Sequence, residues 1–137
     1  MSKQDRLILP KCIIRHEKTA SLPSILALVN INDVLDLKEN TEFLKGFTAQ
    51  EMALVRSRAK GHHSLAARYA AKQAAQALTE LCWTEFEIVR PVDQPPILCL
   101  RGQSIDSLNQ FFTLSLTHDE PYALAYLVAL KPFNTHK

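Results

Sequence analysis

Residues 65–81, LAARYAAKQAAQALTEL, constrain the fold more than any other part of this chain. Wound at about 100° per residue, they set Arg68, Tyr69, Lys72, Gln73, Gln76 and Glu80 on one side, and a run of alanines with Leu78 and Leu81 on the other. Alanine loses no side-chain entropy on entering a helix, so the segment reads as helix throughout. An alanine face also lets a second backbone approach closely, where a leucine stripe would hold it off. On the polar side Arg68 and Lys72 stand one turn apart. Two cations on a rigid element either hold an anionic ligand or are simply a solvated helix face.

A length of 137 residues is one domain's worth, enough to bury a core without disulfides or metals. With 47% hydrophobic and 22% charged residues, the composition is that of a globular protein in water. No apolar run reaches the roughly 18–20 residues of a membrane span. The opening MSKQDRLILPKCIIRHEK lacks the apolar core and small-residue cleavage site of a secretory signal. The expectation is a cytoplasmic protein with no membrane partner. Cys12, Cys82 and Cys99 are odd in number and scattered, which reads as free buried thiols rather than zinc ligands or a disulfide framework.

The net charge of +2 hides a strong asymmetry. Asp36, Glu39 and Glu42 make residues 34–44 acidic, and the sign then reverses. Lys45, Arg56, Arg58, Lys60, Arg68 and Lys72 face Glu51 alone, with His62 and His63 alongside. A basic middle flanked by acids suits a phosphorylated small molecule or an acidic protein partner. Nucleic acid is not expected, because no basic stripe is interleaved with aromatic residues.

Residues 11–15 are a candidate short strand, and Pro23 marks the end of an N-terminal extension, residues 1–23, before a core at 25–130. Residues 25–37, ILALVNINDVLDL, read as a strand running into a turn. That strand would deliver Asp33 to the sheet edge, either as a functional carboxylate or as a turn or capping residue. Thr48 is an N-cap with Glu51 closing a capping box and Phe47 poised to staple onto Met52. This helix is expected to run to about Lys60 and end at Gly61. His62, His63 and Ser64 then form a link in which the histidines are either solvated or metal ligands. After Trp83 the pattern turns to strands: residues 85–90, 97–100, and a hairpin of 111–118 with 122–130. The second hairpin strand has a small-residue side, Ala123, Ala125 and Ala129, that could accept the alanine face of the helix. The tail, residues 131–137, is polar. The fold class is α+β: a single domain with an antiparallel sheet packed against the alanine-rich helix.

Few groups are available for chemistry. With three glycines, none clustered, the chain has no phosphate-cradling loop, and it has no nucleophile elbow or metal-ligand spacing. What remains is Asp33, Arg68, Lys72, and Ser115 with His118 late in the chain.

In order, these pieces resemble the 4′-phosphopantetheinyl transferases of the holo-acyl-carrier-protein synthase type. The family's G-I-D-I-V-E-I strand is similar to Ile31-Asn32-Asp33-Val34-Leu35-Asp36-Leu37, and its F-T-x-x-E helix start to Phe47-Thr48-Ala49-Gln50-Glu51. Its R-[FW]-A-A-K-E-A helix resembles Arg68-Tyr69-Ala70-Ala71-Lys72-Gln73-Ala74. Its S-[IL]-[ST]-H and A-x-A-[FY]-V resemble Ser115-Leu116-Thr117-His118 and Ala123-Leu124-Ala125-Tyr126-Leu127. The resemblance implies transfer of the phosphopantetheine arm of coenzyme A to a serine of an acyl carrier protein, of the kind used in fatty-acid or polyketide synthesis. It further implies Mg²⁺ held by Asp33 and the residue at 73, Lys72 and Gln73 as catalytic positions, and Arg68, Lys72, Ser115 and His118 on the coenzyme. A homotrimer is expected by the same likeness.

This chain departs from the family's motif where the helix glutamate is Gln73. An amide oxygen can touch Mg²⁺ but brings no negative charge and no basicity. Three functional readings follow: an active transferase, a relative that binds coenzyme A or a carrier protein without transfer, and an assembly module whose alanine face serves self-association alone.

Overall fold

In the computed structural model, residues 7–19 and 22–133 are described. Residues 1–6 of the extension and 134–137 of the tail lie outside that range. A four-stranded antiparallel sheet carries the strands β1 (Cys12–Thr19), β2 (Leu22–Asn30), β6 (Tyr122–Ala129) and β5 (Phe112–Asp119), in the order β1-β2-β6-β5. A separate hairpin pairs β3 (Phe86–Val89) with β4 (Ile97–Leu100). Four helices lie between β2 and β3: α1 (Ile31–Leu35), α2 (Thr41–Leu44), α3 (Ala49–Arg56) and α4 (Gly61–Thr79).

The core forms where α4 lies on the sheet. Period-two alternation points Ile25, Ala27 and Val29 of β2, and Ala123, Ala125 and Leu127 of β6, at the helix, all fully buried. Ala66, Ala70, Ala71, Ala74 and Ala75 answer them from α4, also fully buried. Small residues on both sides bring the backbones together, as the sequence led one to expect. The polar side of α4 does not behave as a solvated face: Arg68, Tyr69 and Lys72 are buried. Tyr69 joins an aromatic cluster, with Phe43 within 5.4 Å of both Phe47 and Tyr69 and Trp83 at 5.2 Å from Tyr69, and the Phe47 ring lies against Lys72 Nζ.

Several boundaries differ from the sequence reading. Helix α4 begins at Gly61, so His62 and His63 lie in its first turn rather than in a link. Helix α3 ends at Arg56, with Ser57 as its C-cap. Gly61 instead sits where α4 presses on α3: a Cβ there would overlap the Val55 carbonyl oxygen. Strand β2 stops at Asn30, whose side chain accepts from the Asn32 N–H and caps α1. Ile31 and Val34, three residues apart, are then both buried on one helical face, which overrides the period-two pattern. Asp33 therefore lies in a helical turn, exposed, and not at a strand end.

The strand in the extension is longer than the expected 11–15. Strand β1 pairs with β2 along its whole length, from Cys12 opposite Val29 to Thr19 opposite Leu22, so Pro23 is inside β2 and marks no boundary. Tyr69 Oη donates to the Pro10 carbonyl at 2.9 Å and ties this strand's approach to α4. Cys99 is buried and Cys12 half-buried, whereas Cys82 is exposed. Among the described residues no helix is long and apolar enough to cross a membrane.

Candidate functional site

Two neighbouring features define the site: a buried charge cluster and an open basic cleft. Glu51 anchors the cluster. Its Oε1 accepts from the Thr48 N–H at 3.0 Å, completing the capping box, and from Lys72 Nζ at 2.6 Å. Its Oε2 accepts from the Ile88 N–H at 3.0 Å and stands 4.0 Å from Arg68 Nε. One fully buried carboxylate thus joins α3, α4 and β3. Lys72 Nζ also donates to the Gly46 carbonyl at 2.8 Å and lies 4.4 Å above the Phe47 ring. Burial pulls the Lys72 ammonium down to about 8, against the opposing pull of Glu51.

The cluster holds two cations against one carboxylate. Lys72 has its partners, but Arg68 Nε has no hydrogen-bond partner, and the side chain is only 4% exposed. Burial likewise lowers the Arg68 pKa, with Glu51 opposing. A buried guanidinium without full compensation is costly unless an anion completes it.

Arg68 faces such a space. It lines a cleft of about 520 Å³ together with Arg58, Lys60, His63, Arg90 and His118. These come from the α3–α4 turn, from α4, from the end of β3 and from β5, so the fold gathers cations scattered over sixty positions of sequence. Among the described residues no carboxylate lines the cleft. The nearest is Glu120 in the β5–β6 turn, with Oε1 at 3.5 Å from His63 Nε2. Guanidinium, ammonium and imidazole donors around an open volume are the groups that suit an anion such as phosphate.

Arg68 and His118 meet here as the sequence suggested, with Arg58, Lys60, His63 and Arg90 as additions. Arg58 and Lys60 belonged to the basic stretch already visible; His63 read as linker, and nothing in the sequence marked Arg90. Ser115 and His118 do not line the cleft together. Ser115 is exposed on β5 opposite Tyr126, and the cleft is lined instead by Leu116, Thr117 and His118. Lys72 does not line the cleft; it is consumed by Glu51 and the Gly46 carbonyl.

The residues expected at a metal do not build one. Gln73 Nε2 donates to Tyr69 Oη at 3.1 Å, and its Oε1 accepts from Gln76 Nε2 at 3.5 Å. Asp33 is exposed on α1, and Glu51 is committed to Lys72. Among the described residues no three His, Cys, Asp or Glu side chains gather as a metal site. Mg²⁺ asks for hard oxygen ligands, commonly with one or two carboxylates, and this donor set does not fit it.

No family model matches the sequence, and no curated protein matches it. Solved structures do. The chain superposes on the crystal structure of holo-[acyl-carrier-protein] synthase from Neisseria meningitidis with a TM-score of 0.62 at 21% identity, over 77% of this chain and 95% of that one. The corresponding protein from Thermotoga maritima gives 0.56 at 20%, over 80% of this chain and 63% of that one. The holo-acyl-carrier-protein synthase from Plasmodium yoelii gives 0.59 at 17%, over 87% and 96%. At these identities the likeness establishes the fold: an α+β domain of the holo-acyl-carrier-protein synthase kind.

Proposed function

We propose that this chain takes coenzyme A into the basic cleft and transfers its 4′-phosphopantetheine arm to a serine of an acyl carrier protein. One observation carries the reading: on a holo-acyl-carrier-protein synthase fold, a buried arginine with an unpartnered Nε lines a cleft whose charged side chains are all basic. In the transfer, the serine oxygen attacks the β-phosphorus and gives its proton to water, the bond to the bridging oxygen breaks, and 3′,5′-ADP leaves. Such chemistry depends on positioning and on neutralising charge spread over phosphate oxygens. Arg58, Lys60, Arg68 and Arg90 supply that charge on the nucleotide side. No step is assigned to Mg²⁺, Lys72 or Gln73.

A second reading, binding without transfer, is favoured by the uncharged Gln73 and its engagement with Tyr69 and Gln76. Mass spectrometry of an apo carrier protein incubated with coenzyme A and the chain separates the two. A mass gain of one phosphopantetheine is the expected result; stabilisation by coenzyme A with no adduct on several carriers would leave the binding reading. Gln73→Glu is expected to raise transfer by about 10²-fold or more if a missing carboxylate limits the rate. An unchanged rate removes that position from the mechanism.

We also propose a homotrimer. The sheet face turned away from α4 is largely apolar, with Leu26, Leu28, Leu124, Tyr126 and Val128 half-buried and Ile13 at 56% exposure. A second copy is a fitting cover for such a patch. Sedimentation equilibrium is expected to return three times the chain mass, and Leu28→Glu to shift it to the monomer.

A further inference from the structure

We infer that His63 and Glu120 make the basic cleft a proton-linked anion site, in which a phosphate-like dianion enters together with one proton. This rests on the cleft binding an anion, not on that anion being coenzyme A.

The argument starts from position. His63 is in the first turn of α4, only 6% exposed, and its ring lies 4.5 Å from that of His62 and 5.0 Å from that of His118. Lys60 at the start of α4 and His118 of β5 add positive charge, and Arg58, Arg68 and Arg90 line the same cleft. Glu120, from the β5–β6 turn, is the single carboxylate against the ring, and its side chain is 62% exposed. Burial holds His63 below its ordinary range, His62, His118 and Lys60 add to that, and Glu120 alone opposes. A dianion seated among the arginines reverses the balance, since opposite charge beside an imidazole favours its protonated form. The imidazolium then donates one N–H toward the anion while Glu120 stabilises it from the side. Glu120 is thus both a counter-ion for the proton and, when His63 is neutral, a repulsive charge at the mouth of the cleft.

Inorganic sulfate is the test ligand, because it stays dianionic across the neutral range and any proton taken up belongs to the protein. Imidazole titrations by NMR, with sulfate against chloride at equal ionic strength, are expected to show one histidine midpoint rising by about one unit or more. That signal should be absent in His63→Gln. Sulfate affinity should weaken from pH 6 to pH 8, by at most about tenfold per unit, the limit for one linked proton. The sign for stability follows: a depressed folded-state pKa makes the sulfate-free protein lose stability as pH falls below about 6.5, and sulfate should suppress that loss. Because His63 is buried and its replacement risks the fold, exposed Glu120→Gln is the second arm, expected to bind sulfate more tightly at pH 8. Unchanged midpoints at saturating sulfate, equal affinity at both pH values, or no sulfate binding would each overturn the inference. Stabilisation by coenzyme A in any of those cases would leave the proposed function standing.

Discussion

Glu51→Gln is expected to destabilise the domain by about 3–5 kcal/mol, the usual cost of leaving a buried ion without its partner. For a chain of this size that lowers the melting temperature by roughly 10–20 °C. The carboxylate caps α3, receives the Ile88 N–H and neutralises Lys72, so its loss strikes three elements at once. Lys72→Met should cost less. Without Lys72, Glu51 keeps two backbone N–H donors and has Arg68 at 4.0 Å, whereas Lys72 without Glu51 keeps the Gly46 carbonyl and the Phe47 ring but no counter-charge. Thermal unfolding of Glu51→Gln and Lys72→Met checks the order. If Lys72→Met proves the more damaging, the ammonium holds the fold through more than its pairing with Glu51.

Arg68→Met is expected to divide stability from binding. The orphaned Nε and the burial of the charge make Arg68 a net burden on the ligand-free fold, and Met fills similar volume without a charge. The melting temperature should hold or rise, while affinity for coenzyme A falls by about 10–100-fold, the value of a lost charge-assisted hydrogen bond. Calorimetric titration and a melting curve on the same preparation give both numbers. A large loss of stability with binding intact would show Arg68 to be a structural ion pair with Glu51, and would remove the observation on which the proposed function rests.

These three variants fall at residues that differ in how legible they are in the sequence. The alanines of α4 announced both a helix and a close sheet contact, because one residue type sets both propensity and reach. The Thr48–Glu51 capping box was equally plain, since all its parts lie within four positions. Burial of Arg68 and Lys72 was not legible: helical periodicity sorts polar from apolar sides, but the Phe47 ring against Lys72 and the Glu51 carboxylate beside both cations come from elsewhere in the chain. The turn at Asn30 escaped for a related reason. Apolar residues at 29 and 31 look like strand alternation until the Asn30 cap and the Ile31 N–H, bonded to the Pro121 carbonyl at 2.8 Å, redirect the backbone. Arg90 carries no local pattern, and only tertiary pairing brings it to the cleft.

The central strand pair has a bearing on how the chain acquires this structure. β2 lies between β1 and β6, and its Ser24 meets Tyr126 across 102 positions of sequence. The alanine face of α4 therefore finds only half its seat until the C-terminal strand has been made. Closing so long a loop before its contacts can repay the lost entropy slows folding. During synthesis β1, β2 and the helices wait for β6, and the sheet is completed only once Ala129 has emerged.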